Sequence, residues 1–191
     1  MWSSAFTSAR IIVADAPPLT ALAIRFAISG AIAVAIALAL GQRWRLSRPA
    51  ARATVIFGLC QNALYLGLNF VAMQWVEASL AAIIASTMPL LVALLGWAAL
   101  GERVAPLGVA GLAAGLAGVA LIMGTRLTGG ADLVGVALCC VGALALAVAT
   151  LSVRGASAGG DVLMIVGLQM LVGSAALAVP AVALETWEVT W

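Results

Sequence analysis

Long apolar runs separated by short polar connections repeat along the whole chain. The seven runs are Trp2–Ala14, Leu19–Leu40, Ala53–Gln74, Ser79–Leu100, Val104–Met123, Leu133–Ser152 and Val162–Ala183. Apart from the first, each is close to the roughly 20 residues that an α-helix needs to cross a bilayer core of about 30 Å. None shows the alternation of polar and apolar residues that is typical of membrane β-barrels. The pattern therefore predicts an all-α, polytopic helical membrane protein.

The first run is shorter than the others. The residues before Asp15 provide only about 21 Å of helix at 1.5 Å per residue. We therefore expect the first helix to be partial as it stands in this sequence.

Composition agrees with a membrane protein and argues against several classes of chemistry. Of the 191 residues, 65% are hydrophobic and 8% are charged, whereas soluble domains have about 25% charged residues. Histidine is absent, and Cys60, Cys139 and Cys140 lie in apolar runs where cysteine usually serves packing. The sequence therefore predicts no metal site, no cofactor and no enzymatic activity, since an intramembrane enzyme needs a nucleophile with a base, a carboxylate pair or a metal. The net charge of +2 is too small to suggest a nucleic-acid partner.

The distribution of arginine predicts the orientation, because the chain has no lysine. One face carries six arginines, namely Arg43, Arg45, Arg48, Arg52, Arg103 and Arg154. The other face carries three, namely Arg10, Arg25 and Arg126. The face richer in arginine is expected to be cytoplasmic, which also places the N-terminus in the cytoplasm and the protein in the cytoplasmic membrane.

A weak internal repeat appears when the chain is shifted by 144 residues. Arg10 then aligns with Arg154, Ser8 with Ser152 and Leu19 with Leu163. The matched runs are the first and the sixth, and an odd separation inverts the second copy across the membrane. Inverted repeats are typical of secondary transporters. Residues 1–124 would form the first repeat, and residues 132–191 would form the beginning of the second.

The third run carries a stripe of polar residues. On an α-helix, Gly58, Asn62, Tyr65 and Asn69 share one face, with Gln61 beside it. Polar side chains within a membrane usually face the interior of the bundle or a cavity. The stripe is therefore a candidate solute path, and hydrogen bonding between packed helices is the alternative.

Pro89 lies midway along the fourth run and leaves the carbonyl of Ala85 without its helical partner, which predicts a kink. Ser86 and Thr87 can bond to the loosened backbone and are further candidates for the solute path. The kink would either bend during transport or be a static feature of packing.

Arg25 lies a short distance inside the second run. Its side chain would either extend to the interface or face a cavity, where it would favour anionic solutes. No aspartate or glutamate lies deep in an apolar run, so this sequence contains no obvious carboxylate relay for protons.

The fifth run carries four glycines, Gly108, Gly111, Gly115 and Gly118, at the spacing of a small-xxx-small face. Such a face is typical of close helix packing, within one chain or between subunits. A homodimer formed through this face is one interpretation.

The chain resembles the EamA family of the drug/metabolite transporter superfamily. The resemblance covers essentially all 191 residues, and it is most specific from Tyr65 to Ile122. Within that block the positions that match are Tyr65, Phe70, Ala72, Pro89, Gly101, Glu102, Gly111 and Gly118. The family's Trp-Gly at the first helix is Trp2–Ser3 here.

This resemblance implies ten helices in two inverted repeats of five, of which this sequence contains seven. It also implies alternating access and the movement of small metabolites, amino acids or drugs across the membrane. The expected partners are the lipid bilayer and a small-molecule solute. The alternative is a non-transporting membrane subunit or an inactive fragment that assembles through its glycine-rich helix face.

Overall fold

The computed structural model describes residues 11–14, 16–128, 130, 132–153 and 161–185, and it describes residues 126–128 by their backbone alone. The helices are α1 (residues 11–14), α2 (Pro18–Ala39), α3 (Arg48–Ala72), α4 (Ala78–Leu100), α5 (Pro106–Thr128), α6 (Leu133–Ser152) and α7 (Val162–Leu184). In the described part of the chain, six helices are long and apolar enough to cross a membrane. The predicted all-α, polytopic fold is therefore confirmed.

Some of the predictions concern residues outside this description. Residues 2–10 of the first run, which include Ser8 and Arg10, lie outside the described residues, as do Asp15 and Arg154. The side chain of Arg126 is likewise outside them. The partial first helix and the count of arginines on each face therefore stay predictions.

The start of α3 differs from the apolar run. The helix begins at Arg48, more than one helical turn before Ala53. The hydroxyl of Ser47 accepts a hydrogen bond from the backbone N–H of Ala50 at 3.4 Å, and Pro49 occupies the first turn, where its missing N–H has no cost. The sequence SRP is thus a helix start, and the polar connection before α3 is shorter than its arginine content suggested.

Helices α2 and α7 form the most extensive pair of the fold, and they run antiparallel. Near the centre, a Cβ atom added to Gly30 would lie 3.0 Å from the backbone oxygen of Gly167. Further along, the hydroxyl of Ser174 donates to the backbone oxygen of Ala23 at 2.8 Å. Residue 23 plus 144 positions is Gly167, and residue 174 minus 144 positions is Gly30. The offset of 144 thus converts the Ala23–Ser174 contact into the Gly167–Gly30 contact. The two close approaches are therefore related by the same offset as the weak sequence repeat.

The N-terminus of each helix in this pair is capped by a side chain that lies just after the C-terminus of the other helix. The carboxylate of Glu185, just after α7, accepts hydrogen bonds from the N–H groups of Leu19 and Thr20 and from the hydroxyl of Thr20, at 2.7, 2.8 and 2.7 Å. At the other end, the side-chain oxygen of Gln42, just after α2, accepts from the N–H of Met164 at 2.9 Å. Thr20 and Met164 are themselves 144 positions apart. The α2–α7 pair is thus bound at both ends by reciprocal caps.

Helix α3 lies between this pair and α6. It runs parallel to α7 and antiparallel to α6. The close approaches that establish these directions are Gly58 with Gln169, Gly67 with Leu177, Asn69 with Gly142 and Val76 with Gly135. Helix α6 also packs against α4, and α5 packs on α4 at the periphery. Helices α3 and α6 are therefore the most buried helices of the described bundle.

Candidate functional site

The middle of α3 is a π-helix rather than an α-helix. The π-helical segment covers Gly58–Leu66, nine residues with the sequence GLCQNALYL, and it continues directly into α-helix on both sides. A π-helix hydrogen-bonds each residue to the fifth one along instead of the fourth, and such segments are found frequently at functional sites. Sequence reasoning missed this feature, since the spacing of the polar residues is equally compatible with an α-helix.

The predicted polar face is nevertheless buried as one surface. Gly58, Asn62, Tyr65 and Asn69 are all buried, and Asn69 is only 1% exposed. Gln61, which was predicted beside the face, is partly buried. The face is turned toward α6 and α7, the two helices that pack most closely on this part of α3.

Asn62 connects α3 to α7. Its side-chain N–H donates to the backbone oxygen of Gln169 at 2.9 Å. Two glycines permit this approach: a Cβ added to Gly58 would lie 2.7 Å from the same oxygen, and one added to Gly173 would overlap the Cβ of Asn62. Side-chain hydrogen bonds between helices in a membrane stabilise by about 0.6 kcal/mol on average. The amide of Asn62 therefore contributes to packing in this structure.

Asn69 forms its hydrogen bond within α3. Its side-chain N–H donates to the backbone oxygen of Tyr65 at 2.7 Å, where the π-helical segment passes into α-helix. The side chain is enclosed by α6, because a Cβ added to Gly142 would lie 2.9 Å from the same nitrogen. Asn62 thus makes a hydrogen bond between packed helices, whereas Asn69 bonds within its own helix, and a contact of either residue with solute stays a prediction.

Helix α4 is interrupted near its middle. Its first part ends at Ser86, Thr87 adopts φ −74° and ψ −12°, and the second part begins at Met88. The hydroxyls of Ser86 and Thr87 donate to the backbone oxygens of Ile83 and Ile84, each at 2.6 Å. The break lies two residues before Pro89, where the sequence predicted a kink, and the two hydroxyls bond to backbone oxygens just before that of Ala85.

The exposure of the remaining candidates differs from that of the stripe. Ser86 and Pro89 are exposed on α4, whereas Thr87 is buried. Arg25 is exposed on α2, beside the exposed Ile24 and Ile28. The structure thus buries the α3 stripe and Thr87 while Arg25 and Ser86 lie on the surface of the described residues.

The glycine face of α5 is mostly uncovered. Positions Gly111 and Gly118 have no neighbouring atom within 4 Å of an added Cβ, whereas Gly115 meets Leu90 of α4 at 3.0 Å. A Cβ at Gly108 would contact only Val104, at 2.9 Å. Within the described residues, close packing against another helix is therefore limited to Gly115. Packing of the rest of this face stays a prediction.

A cleft lies where α3 begins and α6 ends, and none of the predicted site residues lines it. Its volume is about 560 Å³, and its lining residues are Arg48, Pro49, Arg52, Ala53 and Ile56 of α3 with Ser152 of α6. Sequence reasoning used the two arginines only to assign orientation. The signal was present in RPAAR, because arginines four positions apart share one face once the segment is helical.

Known proteins resemble the chain over its whole length. Residues 1–124 match the model of the EamA-like transporter family. The chain is 28% identical over 188 residues to the uncharacterized transporter YvbV of Bacillus subtilis (strain 168), a match that covers 98% of this chain and 61% of that protein. A protein of known crystal structure aligns over 100% of this chain and 67% of its own, with 27% identity and a TM-score of 0.66. The chain therefore spans about three fifths of the curated relative that it matches.

Proposed function

The chain belongs to the EamA-like transporter family, and we propose that it acts in secondary transport across the cytoplasmic membrane by alternating access. The solutes would be small metabolites, amino acids or drugs. In this proposal, residues 1–124 form one repeat of five helices. Residues 132–191 contribute the first two helices of an inverted second repeat.

The observation that carries this proposal is the α2–α7 pair. Its helices are antiparallel, and their close contacts and the capped residues Thr20 and Met164 follow the offset of 144 residues at which the two copies align in the sequence. Inverted repeats of this kind are characteristic of secondary transporters, whose solute sites lie near the midplane between the repeats. The geometry of the pair thus supports an inverted-repeat transporter independently of the family match.

We place the solute path along the π-helical segment of α3 and the break in α4. Irregular helical backbone at membrane depth occurs where it is enclosed by protein or lines a cavity, and both segments have it. Gln61 and Tyr65 are the first candidates to contact solute, since the amide donors of Asn62 and Asn69 bond to backbone. The break at Thr87, ahead of Pro89, would be the point at which α4 bends.

The proposal is tested by solute exchange in vesicles reconstituted with this chain. The vesicles are preloaded with a mixture of unlabelled amino acids, and uptake of each labelled amino acid is followed against protein-free vesicles. The same assay is then repeated with mixed carboxylic acids and with cationic dyes. Exchange that saturates with solute concentration is the expected result. Its absence for all three classes would contradict transport by this chain.

The path is tested with variants in the same assay. Tyr65→Phe removes only the hydroxyl, and Gln61→Leu removes the amide while keeping the volume similar. Gly118→Ala on α5 is the matched control, because no atom lies within 4 Å of the added Cβ. We expect a change in affinity or rate for the two α3 variants and none for the control. Unchanged kinetics in both α3 variants would contradict the assignment of the path.

A non-transporting role as a membrane subunit is the second candidate. The observation in its favour is the uncovered glycine face of α5, where Gly111 and Gly118 have no close neighbour in the described bundle. Cysteine introduced at Gly111 would crosslink to a fixed partner if the chain were such a subunit. Stable crosslinks together with no solute exchange would favour this role over transport.

A further inference from the structure

The cleft at the start of α3 holds two cations on one face of one helix. Arg48 is the first residue of α3 and Arg52 lies four positions later, so both guanidinium groups border the same cleft. Ser152, at the end of α6, lies opposite them on the other wall. The cleft thus presents paired guanidinium donors.

This arrangement is electrostatically unfavourable for the chain alone. Like charges four residues apart repel each other on a helix, and cations near a helix N-terminus also oppose the positive end of its dipole. Within the part of the chain that the structure describes, no carboxylate pairs with either arginine. Asp161, near this end of the bundle, instead accepts the backbone N–H of Arg43 at 3.3 Å. A bound anion would remove both unfavourable effects at once.

The chemistry of the cleft favours phosphate as that anion. Guanidinium groups form paired, charge-assisted hydrogen bonds with phosphate oxygens, and a helix N-terminus is itself suited to bind phosphate. The cleft volume of about 560 Å³ is within the range of small-molecule sites, about 300–1,000 Å³. It therefore has room for a phosphate group with substituents attached.

The surroundings of the cleft indicate that the phosphate belongs to a lipid. The rest of the α3 wall is apolar, formed by Pro49, Ala53 and Ile56. In the connection that leads to this helix, Trp44 is 67% exposed and Arg45 lies 5.8 Å from its ring centre. Exposed tryptophan beside arginine is typical of the headgroup level of a bilayer, and basic pockets between membrane helices bind anionic headgroups.

We infer that this cleft binds the phosphate group of an anionic phospholipid, with Arg48 and Arg52 as its ligands. The apolar wall toward Ile56 then faces the beginning of an acyl chain. The inference does not depend on transport, because it concerns a lipid site at the end of the bundle. Its failure would leave the proposed function unchanged.

The test measures lipid binding to the full chain purified in detergent. Native mass spectrometry with added phosphatidylglycerol or phosphatidylcholine reports the number of bound lipids and their affinity. We expect one tight phosphatidylglycerol site and no comparable site for phosphatidylcholine. The double variant Arg48→Gln/Arg52→Gln should weaken that site by about thirtyfold, because each of the two interfacial arginines contributes about fivefold to the affinity.

The control is Arg103→Gln, which removes an exposed arginine from a different connection. It should leave the affinity of the tight site unchanged. An equal loss of affinity in Arg103→Gln and in the double variant would mean that only the overall surface charge matters, and it would overturn the inference. Ser152→Phe keeps all charges and fills the cleft, so it should also abolish the tight site for phosphatidylglycerol. Tight binding of phosphatidylglycerol by this variant would overturn the inference as well. Circular dichroism of each variant establishes that it is folded.

The source of the phosphate is distinguished by competition. Inorganic phosphate and glycerol 3-phosphate are added at millimolar concentration to the complex with phosphatidylglycerol. Persistence of the lipid supports a lipid site. Its displacement would overturn the assignment to lipid, because the cleft would then bind a soluble phosphate.

Discussion

The close approach of α3 and α7 can be tested by adding one methyl group at position 58. The change Gly58→Ala adds a Cβ that would lie 2.7 Å from the backbone oxygen of Gln169 and 3.1 Å from Val172. The oxygen belongs to helical backbone and cannot rotate away, so α3 and α7 must separate locally. That movement would also lengthen the Asn62–Gln169 hydrogen bond, which is 2.9 Å long.

The magnitude follows from two opposing effects. Overpacking a tight contact costs about 1–3 kcal/mol, whereas replacing glycine by alanine inside a helix stabilises by about 0.5–1 kcal/mol. Gly58 has helical backbone angles, φ −58° and ψ −43°, so the second effect applies to it. The matched control Gly118→Ala has the same gain and no contact within 4 Å. The difference between the two variants therefore isolates the overpacking effect.

The assay is reversible unfolding in mixed micelles of dodecylmaltoside and sodium dodecyl sulfate, followed by circular dichroism. We expect Gly118→Ala to be equal to or more stable than the parent, and Gly58→Ala to be about 1–3 kcal/mol less stable than the control. If the two variants had equal stability, the close approach of α3 and α7 would be wrong. The packing role assigned to Asn62 would then be wrong with it.

Two further predictions concern polar groups at the ends and inside of the helices. Glu185→Ala should lower the free energy of unfolding by about 1–3 kcal/mol, since it removes charge-assisted caps from Leu19 and Thr20. A double-mutant cycle with Thr20→Val in the same unfolding assay should give a coupling energy of at least about 0.5 kcal/mol. Additive losses of stability would contradict the cap. Thr54→Val should raise stability by about 1 kcal/mol, because the buried hydroxyl of Thr54 has no hydrogen-bond partner among the described residues. Thr150→Val is its control, since that hydroxyl donates to Leu146 at 2.9 Å, and a gain of stability in both variants would contradict the distinction.

The membrane-spanning helices were predictable because each is a long apolar run. The predicted run Leu133–Ser152 coincides with α6, and Ser79–Leu100 differs from α4 by one residue. The start of α3 was predicted too late, since arginine was interpreted as connection although Ser47 provides a cap ahead of it. Hydropathy marks the part of a helix that lies in lipid, and capping residues mark where the helix begins.

The candidate site was less predictable. The common face of Asn62, Tyr65 and Asn69 followed from spacing alone, and all three are buried. What these side chains bond to depends on which helices come close, and the periodicity of one segment carries no information about its neighbours. The π-helical backbone could not be predicted for a related reason. It differs from an α-helix in which backbone groups bond to each other, and the residue types of the segment suit both patterns. The cleft at Arg48 and Arg52 required knowing that α6 ends beside the start of α3.

The reciprocal caps of α2 and α7 determine when, during synthesis of the chain, each helix end can be capped. The N-terminus of α2 is satisfied by a carboxylate 165 residues later in the sequence. At synthesis rates of about 5–20 residues per second, the ribosome needs roughly 8–33 s to supply that partner. During this interval α2 has entered the membrane without its principal neighbour and with its first N–H groups uncapped. Helix α2 therefore acquires its N-terminal cap and its principal neighbour only after α7 has been synthesised.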